Sequence, residues 1–223
     1  MKTAVIIPTF NEAKEIGRLL RELKVLDLDC LVVDDGSTDT TARIAEEHGA
    51  VVLRNPSNQG KGASLSRGFQ FAVDKSYDAV ITMDGDGQHL PQDIPHFLEA
   101  AQMTDSQIYI GNRMEKTQSM PWVRIMTNRF MSSLISFLAH QEIPDTQCGF
   151  RLIKRELLEK VNLSTSKYES ESEILLQAAR QGYKIQSVAI KTIYSNETSR
   201  INPFIDTLRF FRFILRELWI MLP

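Results

Sequence analysis

Five short apolar segments, each followed by a stretch long enough for a helix, fill the first half of the chain, and few architectures accept that alternation. The segments are AVIIP (4–8), CLVVDD (30–35), VVLRN (51–55), DAVITMD (78–84) and QIYIGNR (107–113). Apolar strands this short belong inside a parallel sheet covered on both faces. Between them, Ile16, Leu19, Leu20 and Leu23 mark one face of a helix over 12–25, and STDTTARIAEEHG gives a helix that stops at Gly49. GKGASLSRGFQFAVDK opens a third helix from glycines and PQDIPHFLEAA supplies a fourth. The prediction is an α/β chain with a Rossmann-like, doubly wound, mostly parallel sheet.

The second half is less regular. Residues 121–140 read as a largely apolar helix, DTQCGFRLIKRELLEKV as loop, strand and helix, SEILLQAARQGY as a helix, KIQSVAIKTIY as a strand, and 203–222 as a final helix. No repeat or linker divides the chain, so one domain over 1–202 carrying a C-terminal amphipathic helix over 203–223 is expected. A chain of 223 residues can bury a full core without disulfides or a structural metal. Its formal charge of −2 gives no bulk electrostatic reason to bind nucleic acid. Cys30 and Cys148 make neither a disulfide framework nor a zinc spacing and read as reduced thiols of a cytoplasmic protein. The N-terminal apolar run is too short for a signal peptide. No run approaches the roughly 18 to 20 apolar residues of a membrane span.

In an open parallel sheet, ligands bind beyond the carboxyl ends of the strands. Four such ends carry polar clusters, PTFNE (8–12), DDGSTD (34–39), DGDGQ (84–88) and GNR (111–113), and their convergence on one edge outweighs any single motif. A strand-to-helix turn capped by Ser37 or Thr38 accounts for part of DDGSTD. It leaves Asp34 and Asp35 over, and the N–H groups of a base and the hydroxyls of a ribose would match them. NPSNQGKG reads adequately as a glycine turn before a helix. DGDGQ places two carboxylates one residue apart, which repel unless a cation lies between them. Mg²⁺ or Mn²⁺ takes such oxygen ligands and shares them with substrate phosphates. A solvated acidic turn is the plainer alternative.

Taken in order, IIPTFNE, VVDDGSTDTT, NQGKGASLSRG, MDGDGQH, GNR, DTQCGFRL and the late Glu173 resemble the family 2 glycosyltransferases. Within them the chain is similar to the dolichyl-phosphate (polyprenyl-phosphate) mannosyltransferase-like branch, over nearly its whole length. The resemblance implies a GT-A fold, a UDP- or GDP-hexose donor and Mg²⁺ or Mn²⁺. It implies that Pro8, Phe10 and Glu12, with Val33 and Asp35, line the donor's base and ribose pocket. Asp84, Gly85, Asp86 and Gln88 match the motif for metal and diphosphate, with Asp84, Asp86 and Gln88 as metal ligands and Asp86 catalytic. Arg113 and Arg129 match arginines that face an acceptor phosphate. Arg200, in NETSRINP, matches a loop that closes over the donor diphosphate. There the chain departs from the branch, because a second basic residue expected earlier in that loop is missing from IYSNET.

Transfer with inversion needs a nucleophile opposite the leaving group. A sugar hydroxyl would need a carboxylate base, whereas a lipid phosphate is already anionic and needs cations to place it. Arg113 and Arg129 suit that task. Glu169, Glu171 and Glu173 fall where a hydroxyl-specific relative keeps its base, and Glu173 is the candidate; acids at a helix entry are also what the helix dipole favours. In the final helix, Arg209, Arg212 and Arg216 cluster in one sector, with Leu208, Phe211, Ile214, Leu215 and Leu218 across much of the other side. This fits an interfacial helix on anionic lipid, and Trp122, Phe130, Phe137 and Leu138 would add a second lipid-facing surface. Packing on the domain's own core or on a partner subunit is the alternative. The expected activity is metal-dependent transfer of a hexose, of mannose or glucose type, to polyprenyl phosphate by a peripheral enzyme on the cytoplasmic face of a membrane. A transferase to a hydroxyl of a polysaccharide or small acceptor is the second reading, although QxxRW and membrane spans are missing. A receiver-like phosphoacceptor domain is a remote third, because its acid pair would follow the first strand.

Overall fold

The five apolar runs become five of the strands of a seven-stranded sheet. The computed structural model describes residues 1–115, 117, 120–167, 169–191 and 203–221, with the side chains of the last segment from 208 to 219. Strand β1 (Thr3–Thr9) lies between β2 (Asp29–Asp34) and β4 (Ala79–Thr82), with β3 (Val51–Arg54) outside β2, and all four are parallel. Strands β5 (Ile108–Asn112), β6 (Arg151–Lys154) and β7 (Ile185–Ala189) complete the order β3-β2-β1-β4-β6-β5-β7. β6 runs antiparallel to both neighbours, and β7 is parallel to β5. The doubly wound, mostly parallel prediction therefore holds, and QIYIGNR is a strand. It does not lie against β4, however, because the strand from DTQCGFRL inserts between them.

Val5, Ile6, Ile7, Val32, Val33, Val80 and Ile81 have no solvent exposure, as strands covered on both faces require. Each such side chain contributes about 1.5–3 kcal/mol of burial free energy. The covering helices are α1 (Ile16–Lys24), α2 (Thr41–Glu47), α3 (Lys61–Asp74), α4 (Ile94–Met103), α5 (Trp122–Ala139), α6 (Arg155–Leu158), α7 (Glu169–Arg180) and α8 (Pro203–Met221). The register sets Thr9 beside Asp34, Ile6 beside Thr82, and Thr82 beside Arg151. The carboxyl ends of β1, β2, β4 and β5 and the amino end of β6 thus share one edge.

Helix α8 joins the main core through Phe210, Phe213 and Ile214. Ile214 is therefore a core residue, in place of the exposed apolar face expected for it. Leu208, Phe211, Leu215, Leu218 and Trp219 are exposed on the outer side.

Candidate active site

The first two loops of the edge are tied into one unit. Asn11 turns the chain at φ 55°, a left-handed conformation that asparagine tolerates. Its N–H donates to Ser37 Oγ (2.9 Å), and its Oδ1 accepts from the N–H of Thr38 (2.9 Å) and of Asp39. Asp35 is buried, and its carboxylate accepts from Asn55 Nδ2 (2.8 Å) and from the N–H groups of Gln59 (2.9 Å) and Gly60 (2.7 Å). Asp34 accepts from the Ser37 N–H (3.1 Å) and pairs with Arg54 Nε (3.2 Å). The two acids that the sequence leaves over for a nucleoside therefore have protein partners, and Asp35 clamps the NQGKG loop. Val33, expected in the donor pocket, is a core side chain instead. Pro8, Phe10 and Glu12 lie half-buried at the edge as expected. A cavity of about 430 Å³ opens at the ends of β2 and β3, lined by Gly36, Ser37, Thr38, Arg54, Asn55 and Pro56.

After β4 the chain alternates. Asp84, Asp86 and Gln88 are partly exposed, while Gly85, Gly87 and His89 are buried. A Cβ on Gly85 would lie 2.7 Å from Thr9 Cγ2, so the loop presses on the end of β1 without room for a side chain. Gly87 needs its φ of 72°. The Gln88 N–H donates to Asp86 Oδ1 (3.0 Å), and the Asp84 N–H donates to His89 Nδ1 (3.3 Å). His89 stacks on Phe150 with ring centroids 5.1 Å apart. Burial, aided by the charges of Arg113 and Lys61 against the opposing pull of Asp84, takes its imidazole down to about 4, so at neutral pH the ring is uncharged and accepts at Nδ1.

That shift has a measurable consequence. As pH falls below the ordinary histidine value of 6.5, the unfolded chain takes up a proton that folded His89 refuses, so stability falls between there and about 4. The loss reaches about 3 kcal/mol at the acid end. Urea unfolding of the wild type and of His89→Gln at pH 7 and 4.5 should show a shallower acid loss in the variant. Equal slopes would move the acid sensitivity elsewhere.

The positive charge beside Asp84 is a lysine. Lys61 Nζ contacts Asp84 Oδ1 and Glu171 Oε1 (2.5 Å). Burial alone would raise the Asp84 pKa; Lys61 first, then His89 and Arg113, hold it down at about 2. Asp84, Asp86 and Gln88 offer two carboxylates and an amide oxygen. This is a hard-oxygen set that suits Mg²⁺ or Mn²⁺ completed by waters and phosphates, and the ammonium on Asp84 shows that the carboxylate takes a cation. Among the described residues, no group of three or more His, Cys, Asp or Glu side chains is arranged to hold a metal without such help.

On the other side of the edge, Arg113 is 12 % exposed in its side chain and forks onto Asp145, which is fully buried. Nε lies 2.7 Å from Asp145 Oδ2 and Nη2 2.8 Å from Oδ1. Arg129 is exposed on α5. Its neighbour Asn128 is 6 % exposed, and its side-chain nitrogen has no hydrogen-bond partner among the described residues. One turn on, Ser132 Oγ accepts from the Thr146 N–H (2.9 Å), so that helix face looks toward the segment carrying Asp145.

Glu173 does not face this edge. Its carboxylate accepts the N–H and hydroxyl of both Ser164 and Thr165, and Arg216 lies 3.5 Å away. Burial opposes ionisation, but those bonds hold its pKa below the usual carboxylate range. Glu173 staples a loop, and Glu171, two residues earlier, is the acid that reaches the site. Arg216 also donates to Ser164 Oγ (2.8 Å), so it turns toward the body of the protein and leaves the arginine sector expected to edge the apolar face. Lys61, Asp145 and Arg151 stand at or behind this edge as well; the sequence reading quotes the motifs that contain them but singles out none of the three. Arg151 is 1 % exposed and donates to the carbonyls of Cys148 (2.8 Å), Glu171 (2.5 Å) and Thr146 (2.9 Å), which fastens the Asp145–Gly149 segment to α7. Arg200 lies outside the described residues.

Comparison with known proteins gives the family and the fold. The family described as Glycosyl transferase family 2 matches residues 4–161. The polyprenol monophosphomannose synthase of Mycolicibacterium smegmatis is 30% identical over 205 residues, spanning 85% of this chain and 76% of that protein. The UDP-N-acetylglucosamine–dolichyl-phosphate N-acetylglucosaminyltransferase of Methanococcus voltae is 28% identical over 214 residues, 86% of this chain and 85% of that one. Among solved structures, glucosyl-3-phosphoglycerate synthase from Mycobacterium tuberculosis, in complex with Mn²⁺, UDP and glucosyl-3-phosphoglycerate, superposes with a TM-score of 0.75 at 20% identity. It covers 97% of this chain and 78% of its own, a likeness of fold.

Proposed function

The chain belongs to glycosyl transferase family 2, in its polyprenyl-phosphate branch, and has a GT-A fold; on that premise we propose that it moves a hexose from a nucleoside-diphosphate sugar to polyprenyl phosphate. The observation that carries the proposal is the commitment of charges at the strand edge. Glu173 is bound into the Ser164–Thr165 loop and Glu171 is paired with Lys61, so two of the three acids considered as a base for a hydroxyl acceptor are in use. A phosphate acceptor needs no base, and Arg113 supplies an oriented cation beside the donor edge.

In this reading, Asp84 and Asp86, with Gln88, would hold Mg²⁺ or Mn²⁺. When bound, that ion offsets the negative charge developing on the departing nucleoside diphosphate. The rest falls to the chain. Pro8, Phe10 and Glu12, with the cavity beside Ser37 and Arg54, receive base and ribose. Arg113, and Arg129 from α5, position the acceptor phosphate. Its oxygen attacks opposite the leaving group and inverts the anomeric carbon.

The acceptor's lipid tail requires an apolar surface nearby. Trp122, Val123, Met126, Phe130 and Phe137 are exposed on α5, and the Phe130 and Phe211 rings lie 6.4 Å apart, which joins this face to the outer side of α8. Such a continuous apolar surface supports peripheral docking on a membrane. Among the described residues, no helix is long and apolar enough to cross one.

The test is a radiolabel transfer assay with UDP- and GDP-sugars, with and without Mn²⁺ or Mg²⁺ and a short polyprenyl phosphate in detergent. Label should enter the lipid phase only with metal and lipid phosphate together. Label passing to a hydroxyl acceptor would overturn the acceptor assignment. The two relatives are named for different sugars, so the panel includes mannose, glucose and N-acetylglucosamine donors.

A further inference from the structure

We propose that Lys61 is a resident counter-ion of the donor site, which holds Asp84 while the donor is absent and releases it only when cation and nucleoside diphosphate arrive together. The inference rests on the metal assignment above and adds an order to it: the cation does not load first.

Three observations lead there. The Lys61 ammonium contacts the carboxylates of Asp84 and Glu171 at once, so the charge that a divalent ion would seek on Asp84 is already engaged. The three groups also meet over a residue with no side chain. A Cβ on Gly149 would stand 2.7 Å from Glu171 Oε1, 2.8 Å from Lys61 Nζ and 3.0 Å from Asp84 Oδ2, so the cluster fills its space. Finally, Lys61 is held from behind. It is the first residue of α3, the Gly60 N–H before it is bound to Asp35, and the Gly62 N–H after it donates to the Ser166 carbonyl (2.9 Å).

An ion arriving alone must therefore share Asp84 with an ammonium that has little room to withdraw, and the two cations repel. A nucleoside diphosphate changes the balance, because its phosphate oxygens give Lys61 and the metal anionic partners at the same time. Glu171 keeps the ammonium in place during the exchange. Metal and nucleotide then bind with strong positive coupling, and by linkage each raises the other's affinity by the same factor.

The test is Mn²⁺ binding to the full chain, followed by electron paramagnetic resonance with and without UDP or GDP. The wild type should bind Mn²⁺ weakly alone and at least tenfold more tightly with the matching nucleotide. Lys61→Met should raise nucleotide-free Mn²⁺ affinity about tenfold and shrink the coupling. Because that variant leaves two carboxylates facing each other, Lys61→Met/Glu171→Gln is measured beside it. The double variant removes the ammonium with one of its two acids, cannot create a new ligand pair at Glu171, and should show the same gain. Nucleotide-free affinity equal to wild type in the double variant overturns the proposal. A wild type that binds no Mn²⁺ even with either nucleotide instead removes the metal assignment, and the proposal with it.

Discussion

Asp86→Ala should lower sugar transfer by about a thousandfold or more at saturating donor, with its melting temperature close to that of the wild type. The size of the effect follows from the assigned chemistry. A nucleoside diphosphate leaves as a polyanion, and removing one preorganised electrostatic stabiliser of developing charge costs about 10² to 10³ in rate; loss of a metal ligand removes the ion's whole contribution as well. The small effect on folding follows from position. Asp86 is partly exposed, and the hydrogen bond that it accepts from the Gln88 N–H contributes about 0.5–1.5 kcal/mol. The measurement pairs kcat across a Mn²⁺ titration with a thermal melt. A variant that stays active and keeps the wild-type metal dependence would take Asp86 out of the metal site. A folded variant that has lost both activity and nucleotide-linked Mn²⁺ binding would support it.

Much of this site was legible because loops at the ends of apolar strands must converge when the strands are parallel. The four polar clusters do share one edge, and Asp84, Asp86, Gln88 and Arg113 lie there. What the sequence does not reveal is partnership across distance. Lys61 stands in a stretch that reads as a glycine turn, and its partner Glu171 is 110 residues away. A cation for Asp84 is therefore in the chain itself, but no local pattern connects Lys61 with its two acids. DTQCGFRLIKRELLEKV reads correctly as loop, strand and helix, but the insertion of that strand, β6, between β4 and β5 is hidden for a similar reason, as is the burial of its first residue, an arginine. Only the carbonyls of Thr146, Cys148 and Glu171 make that arginine a core residue.

Other misreadings have local causes. A wheel groups Arg216 with Arg209 and Arg212 because it contains no neighbouring loop, and Ser164 and Glu173 are what draw the side chain inward. The acids of ESESE all suit a helix entry by charge. Which of them faces the site depends on where the chain before α7 lies, and that chain covers Glu173 and leaves Glu171 to Lys61. Val33 fails as a pocket residue because a strand buried on both faces offers only its end to a ligand.

The second large effect concerns Arg113, and the structure dictates how it must be measured. Arg113→Ala alone would strand Asp145, which is fully buried and holds the guanidinium through both oxygens. Breaking a buried pair by removing one partner costs about 3–5 kcal/mol, so a loss of activity would mix folding with chemistry. Arg113→Ala/Asp145→Asn removes the guanidinium without leaving a buried charge and should recover most of that stability in urea unfolding. Transfer to polyprenyl phosphate should still fall by about 10² or more, because a planar fork that orients an anionic nucleophile has no substitute in the variant. Nucleotide affinity should stay within about threefold of wild type, since the proposed donor site lies on the β1, β2 and β4 loops. Arg113 does contribute to keeping Asp84 ionised, so a small loss on the donor side is expected, far below the loss in transfer. Equal losses in nucleotide binding and in transfer would place Arg113 on the donor, and the acceptor phosphate would then have to be sought at Arg129 and the buried amide of Asn128.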